Sequence, residues 1–394
     1  MRNVVVVTLM LSILLLTGCW DMREIDEIGF VMAIGIDKAG ELGQYTVTVQ
    51  IANPSAGGPE NGTTKEAVWV ATADGSSVFD AIRKLVRISS KRIVWAHNNV
   101  IIIGESLARE SITPVIDFFT HNPELRMKTN LVIANGNAKE YLYSKAGMEQ
   151  IPGMSLSEII RYQSLTAESI TSDMLRVAYD YNNQYLEPLI SAVSLKRVVT
   201  TMKDGKAQGE SETINLSGAA VFKNNKMVGW LSPEETRGVA WVLNETRDTV
   251  VTVSDSEHEN KSVSVETHNV KSKITAQVED GVPYITIKIS GAGSIVEEDG
   301  STELTIDEIK DELEDLINGK IVDEIVTSIN KLQKEYNSDV LNFAKIIHAQ
   351  NNKKWEEEIK DNWQDIFPQI SVIVSADINI NTSTLYQEPR KTVK

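Results

Sequence analysis

Hydrophobic positions recur along this chain in three rhythms: continuous, alternating and helical. The continuous one opens it, from Val4 to Leu16, broken only by Thr8 and Ser12. About 13 residues rise only ~20 Å as a helix, too little for an ordinary membrane crossing. A shorter run, Ile28 to Ile36, ends at Asp37 and predicts a strand buried on both faces. Tyr45 to Ile51 alternates, as a half-buried strand does, and the two are expected to pair as a hairpin. Asn53 to Glu66, rich in Pro, Gly, Asn and Thr, reads as an exposed loop. From Asp74 to Ile88 the period changes. Val78, Phe79, Ile82, Leu85 and Val86 fall at three- and four-residue steps, predicting an amphipathic helix. A strand at Asn99–Ile103, a helix at Glu105–Phe119 and a strand at Met127–Ala134 follow. Helices near Ser155–Tyr162 and Thr171–Tyr179 then lead to a strand at Leu189–Val198.

The segment Thr200–Gly209 is polar and contains Lys203-Asp204-Gly205-Lys206, a hairpin tip or linker, and a domain boundary is placed there. Beyond it, Ile214–Phe222 and Met227–Trp230 flank Asn224-Asn225, residues that tolerate the positive φ of a tight hairpin turn. Ser232, Pro233 and Glu235 then spell a helix start, with a Ser-x-x-Glu capping box and proline at the first position. Thr249–Val253, Ser262–Thr267, Lys271–Val278 and Tyr284–Ile289 alternate as an antiparallel meander. A long helix is predicted over Thr305–Tyr336, with Ile306, Ile309, Leu313, Leu316, Ile325, Ile329 and Leu332 near helical spacing and a bend expected at Gly319. Too few heptads hold for a coiled coil, so packing on the meander is expected. Val340–His348 is another helix. Trp355, Ile359, Trp363 and Ile366 mark the next, which Pro368 ends, and Ile370–Ile380 alternates as a last strand.

The fold class that follows is α+β: a multi-domain ectodomain with an N-terminal mixed α/β part and a C-terminal antiparallel sheet packed with long helices. Its divisions are a signal peptide over residues 1–18, an N-terminal α/β region of one or two subdomains over 19–199, and a C-terminal α+β domain over 210–385.

The start of the chain says how it is held. Arg2, the apolar run and the small residues before Cys19 make a secretory signal peptide, and Leu16-Thr17-Gly18-Cys19 is a bacterial lipobox. Cys19 is the single cysteine. Lipidation there would consume the thiol and leave neither disulfide nor cysteine chemistry. One acyl chain holds a protein marginally, whereas two give stable attachment. The net charge of −16 disfavours nucleic acid and anionic lipid as partners, so attachment is expected from the lipid and not from a basic patch. Hydrophobic residues at 42% and charged residues at 24% are an ordinary globular mixture.

Catalytic chemistry finds no motif. The five histidines, His97, His121, His258, His268 and His348, are scattered without metal-ligand spacing. There is no nucleophile elbow, phosphate loop or dinucleotide fingerprint. Glu297-Glu298-Asp299-Gly300 lacks the alternating ligands of a calcium loop and reads as a solvated turn. Neither enzyme activity, metal nor cofactor is expected, apart from the covalent lipid on Cys19.

Three runs together resemble the spore germination receptor C-subunit family, the Ger(x)C lipoproteins of endospore-forming bacteria. They are Gly18-Cys19-Trp20-Asp21-Met22-Arg23-Glu24-Ile25 through Gly35-Ile36-Asp37, then Leu216 to Lys223 with Val228 to Gly238, then Asp339 to Phe343 with Trp355, Asp361-Asn362-Trp363 and Ile366-Phe367-Pro368. Met22 departs from the family's frequent second arginine. The resemblance implies a subunit of a nutrient germinant receptor, beside A- and B-type membrane subunits in the inner spore membrane, with a scaffold or coupling role. Trp and Arg dominate binding hot spots, so Trp230, Arg237 and Trp241 are candidate interface residues if exposed. Trp20, Asp21, Arg23 and Glu24, beside the anchor, are candidates for touching a membrane subunit. An alternative is a solute-binding lipoprotein serving a transporter, which would normally need two α/β lobes about a hinge. A lipid-anchored cell-wall hydrolase would need a catalytic constellation that the sequence does not offer.

Overall fold

A computed structural model of the chain describes Asn3 and residues 27–40, 44–52, 68–144, 151–201, 207–254, 262–299 and 306–380. Cys19, Trp20, Asp21, Arg23 and Glu24, and the expected loop Asn53–Glu66, lie outside the described residues.

The first three strands are β1 (Ile28–Lys38), β2 (Tyr45–Ala52) and β3 (Val68–Gly75), antiparallel neighbours in that order. The expected hairpin is the pair β1–β2; β3 was not read from the sequence. Helix α1 (Val78–Ile88) starts on Ser77, whose hydroxyl accepts from the Asp80 N–H, and buries Val78, Ala81, Ile82 and Leu85. The short β4 (Arg92–Val94) and then β5 (Val100–Gly104) both run parallel to β1. The single helix expected over 105–119 is two, α2 (Glu105–Glu110) and α3 (Thr113–His121). Ser111 between them is extended, and Pro114, which has no N–H to continue the first helix, sits in the first turn of the second.

Parallel pairing continues through β6 (Asn130–Ala134) to β7 (Leu189–Thr201), by way of α4 (Ala138–Tyr143), α5 (Pro152–Arg161) and α6 (Met174–Tyr181). Such crossovers through helices are what parallel strands require. The polar segment at 200–209, read as a hairpin tip or linker, falls between two long strands that pair with each other. β7 pairs antiparallel with β8 (Ala207–Lys223), and β9 (Lys226–Leu231) closes the edge. Among the described residues the first sheet therefore has nine strands, ordered β3-β2-β1-β5-β6-β7-β8-β9 with β4 beside β1, and extends well past residue 199. Asn224 and Asn225 have φ of 49° and 66°, the left-handed turn their residue type foretold.

Helix α7 (Pro233–Leu243) carries the capping box, formed reciprocally between Ser232 and Glu235. The second sheet has four described strands: β10 (Val250–Ser254), β11 (Ser262–Glu279), β12 (Val282–Asp299) and β13 (Ser371–Ile380). The two segments expected at 262–267 and 271–278 are one strand with an irregular register between His268 and Lys271. Glu297–Asp299 lie in β12 and pair with Ser262–Ser264, so they are strand and not turn. The sheet is not wholly antiparallel. β13 runs parallel to β12 because a helical crossover separates them.

That crossover begins with α8 (Ile306–Lys331), which runs through Gly319 uninterrupted. Its buried stripe, Leu313, Ile317, Ile321, Ile325 and Ile329, packs on β10 and β13 as expected for a helix on the sheet. Helix α9 (Phe343–Gln350) follows. The segment holding Trp355, Ile359 and Trp363 is a chain of short helical turns, and all three side chains are buried. Trp355 meets Trp363 at 5.4 Å between ring centroids, and Trp363 meets Phe367 at 5.6 Å.

Two clusters cover opposite faces of the first sheet. One includes α1, α2, α3 and α6; the other includes α4 and α5. A third belongs to the second sheet, yet contains Leu189, Ala219, Val221 and Leu231 from the first. The two sheets thus share a core across α7. None of the described helices is long and apolar enough to cross a membrane.

Candidate interface

The residues nominated as interface candidates meet at the junction of the two sheets. Ser232 fixes where α7 begins, and its turn aims Arg237, Gly238 and Trp241 at α8. A Cβ on Gly238 would lie 2.3 Å from the Glu324 carbonyl oxygen, so only glycine lets the two backbones approach this closely. Ser328 seals the crossing, its hydroxyl 2.7 Å from the Glu235 carbonyl and 2.6 Å from that of Glu324.

Glu324 is the centre of the arrangement. Its carboxylate accepts from Arg237 Nε at 3.0 Å, from Arg237 Nη2, and from Trp241 Nε1 at 3.1 Å. These bonds keep the guanidinium charged, moving the Arg237 pKa above its ordinary value against the cost of burial. Arg237 also lies 4.0 Å from Glu168, on the first sheet's side. Glu235 serves twice, accepting from the Ser232 N–H at 2.7 Å and from Lys331 Nζ at 2.8 Å. The helical turn Leu332–Tyr336 that follows α8 reaches over β9, where Tyr336 donates to the Trp230 carbonyl at 3.0 Å. A Cβ on Gly229 would strike that tyrosine ring.

Two more carboxyl groups lie close by. Asp339 accepts from the N–H groups of Phe343 at 3.0 Å and Ala344 at 2.8 Å, starting α9. Burial outweighs these bonds and pushes its pKa up to about 7. Burial also raises Glu187 to about 7, although the Asn224 N–H donates to it at 3.0 Å.

This geometry corrects the expectation for two of the three candidates. Trp241 is 0% exposed, and in the folded chain it offers no surface to a partner. Arg237 has both its charge and its hydrogen-bonding edge engaged by Glu324. Both clamp α7 to α8, because a buried charge persists only when paired and hydrogen-bonded. Trp230 is half-buried, its indole N–H 3.4 Å from Glu105 on α2. The sequence reading missed Glu324, although an acidic residue beside the buried stripe of Ile317, Ile321 and Ile325 is the signal that could have found it. Among the described residues no group of three or more His, Cys, Asp or Glu side chains could hold a metal ion.

In chemical terms this is an α+β protein whose most buried charges join one element to another. Residues 21–195 match the family described as spore germination protein N-terminal domain, and residues 217–384 the one described as spore germination B3/GerAC like, C-terminal. The chain belongs to this spore germination family. It is 25% identical over 397 residues to spore germination protein KC of Bacillus subtilis (strain 168), covering 98% of this chain and 97% of that protein. Spore germination protein B3 of the same organism is 26% identical over 364 residues, 91% of each. The crystal structure of the GerBC protein superposes with a TM-score of 0.55 at 24% identity, covering 90% of this chain and 99% of that one, and so shares the fold.

Proposed function

We propose that this chain is the C-type subunit of a nutrient germinant receptor, held by a lipid on Cys19 at the extracytoplasmic face of the inner spore membrane. It works there as a scaffold or coupling subunit for the A- and B-type membrane subunits and carries out no reaction of its own. The observation that carries this reading is the match to spore germination families over residues 21–195 and 217–384, which begins two residues after Cys19. The junction supports a scaffold role: Arg237, Trp241 and Glu324 are used internally and tie α7 to α8 where the two sheets share a core.

The test uses spores whose only copy carries Cys19→Ala, with related receptors deleted. The expected result is loss of response to one nutrient class while a receptor-independent trigger still works. A normal nutrient response from spores lacking the whole gene would overturn the receptor assignment. A normal response from Cys19→Ala alone would remove the anchor and leave the rest.

A further inference from the structure

One surface of the first sheet differs in character from an otherwise acidic chain. Helix α1 points Phe79, Arg83 and Val86 outward at helical spacing, and the Arg83 guanidinium sits 4.7 Å over the Phe79 ring. Phe79, Val86 and Ile88 are 48%, 45% and 60% exposed. A groove of about 560 Å³ runs between α1 and α3, lined by Phe79, Val86, Arg92, Trp95 and Phe118 among others. Arg83 and Arg92 line it, Arg87 is exposed on the same helix, and among the described residues Arg83, Arg87 and Arg92 make no ion pair. The opposing charges nearby are few: Glu124 lines the groove, and Asp80 is paired with Lys84 at 3.1 Å.

The position of this surface matters as much as its chemistry. β1 enters the sheet at Ile28, directly opposite Arg92. The nine residues from Cys19 to Glu27 reach at most about 30 Å when fully extended. The end of the patch therefore lies next to where the chain leaves for its anchor. Trp69, 40% exposed, joins the same end, because α1 must run back along β3 after its two-residue turn.

We propose that this α1–α3 face rests on the bilayer, its arginines meeting anionic lipid headgroups and Phe79 and Val86 entering the interface. The proposal rests on the lipid-anchor reading of Cys19. Amphipathic helices with arginines flanking aromatic and aliphatic residues bind membranes in this way. The net charge of −16 turns the remaining surface away from the same headgroups and so helps to fix the orientation. β3 and β9 are opposite edges of the first sheet, so α1, packed on β3, and the second sheet, which shares its core with β8 and β9, lie towards opposite ends of it.

The test uses the mature lipidated protein, whose native thiol is blocked, on vesicles of phosphatidylglycerol with phosphatidylcholine or of phosphatidylcholine alone. A fluorophore is placed on Val86→Cys or, as a control on the second sheet, on Ile373→Cys, which is 65% exposed. A quencher carried in the bilayer is expected to dim the Val86 label several-fold more than the Ile373 label on anionic vesicles. Combining Arg83→Glu, Arg87→Glu and Arg92→Glu should abolish the difference, each reversal weakening contact about fivefold or more. Phe79→Ser should weaken it while leaving every charge in place. Equal quenching at the two positions would overturn the proposal. So would protection of Val86 that appears only when membrane subunits are added, which would assign the face to a protein partner. Failure of the anchor reading shows separately, as protein that lacks an acyl mass and does not float with vesicles. The patch is then read from the unlipidated chain's flotation with anionic vesicles at low ionic strength, which the triple reversal must abolish.

Discussion

The α7–α8 junction and the α1–α3 face are built from the same residue types and do opposite things. Both combine arginine with large aromatics on an amphipathic helix. At the junction, Arg237 and Trp241 converge on Glu324 and are sealed by Ser328. On α1, Arg83 covers the Phe79 ring and both remain in solvent. Residue type therefore announces neither a core nor an interface. What separates the two is whether a second element supplies a counter-charge, as α8 does and α3 does not.

The largest way to break this contrast is to remove the counter-charge. Glu324→Ala strips a mostly buried guanidinium of its hydrogen-bonded partner and leaves it only Glu168 at 4.0 Å, and a loss of about 3 kcal/mol is expected by denaturant titration. If that variant unfolds like the parent, the junction is not the clamp described here.

The next effect comes from acid titration. The unfolded chain releases the Asp339 and Glu187 protons near their ordinary values of 3.8 and 4.5, whereas the folded chain holds them until about 7. The unfolded state thus binds fewer protons between those limits, and stability from these two groups falls as pH rises from about 4 to 7. Thermal melts across that range should show the slope, and Glu187→Gln should flatten part of it. An unchanged slope in Glu187→Gln would show that this carboxyl contributes nothing to it.

Backbone approach supplies a smaller effect. Gly238→Ala pushes α7 off α8 at about 1–3 kcal/mol, whereas Gly319→Ala, with open space around it, should be neutral or stabilising. Ser232→Ala removes one half of the capping box for about 1 kcal/mol. The smallest change is expected on the exposed face. Arg83→Glu should move stability by less than about 0.5 kcal/mol, so that any effect on vesicle contact cannot come from unfolding. A large destabilisation there would mean that the two regions are less different than their burial indicates.

The features readable in advance were the local ones. The Ser232–Glu235 box, the Asn224-Asn225 turn and the buried tryptophans at 355 and 363 each depend on neighbours a few residues away. α4 escaped notice because it is only six residues long, and β3, as long as β2, because Ala71, Thr72 and Ala73 blur its alternation. The break between α2 and α3 was written in Pro114 and went unread. That the strands on either side of the polar segment at 200–209 pair with each other was not readable, because a polar turn looks the same whether it joins two strands or two domains.

Local patterns specify the α+β class, most of the elements and their order, since periodicity, caps and turn residues act within a few positions. Only the tertiary structure decided that the first sheet continues to Leu231, that β13 lies parallel to β12, and that Trp241 faces inward. It also decided that three arginines gather where the chain enters the fold. Pairing and burial join residues far apart, 87 positions between Arg237 and Glu324, and no local pattern encodes which distant side chain will be there to meet them.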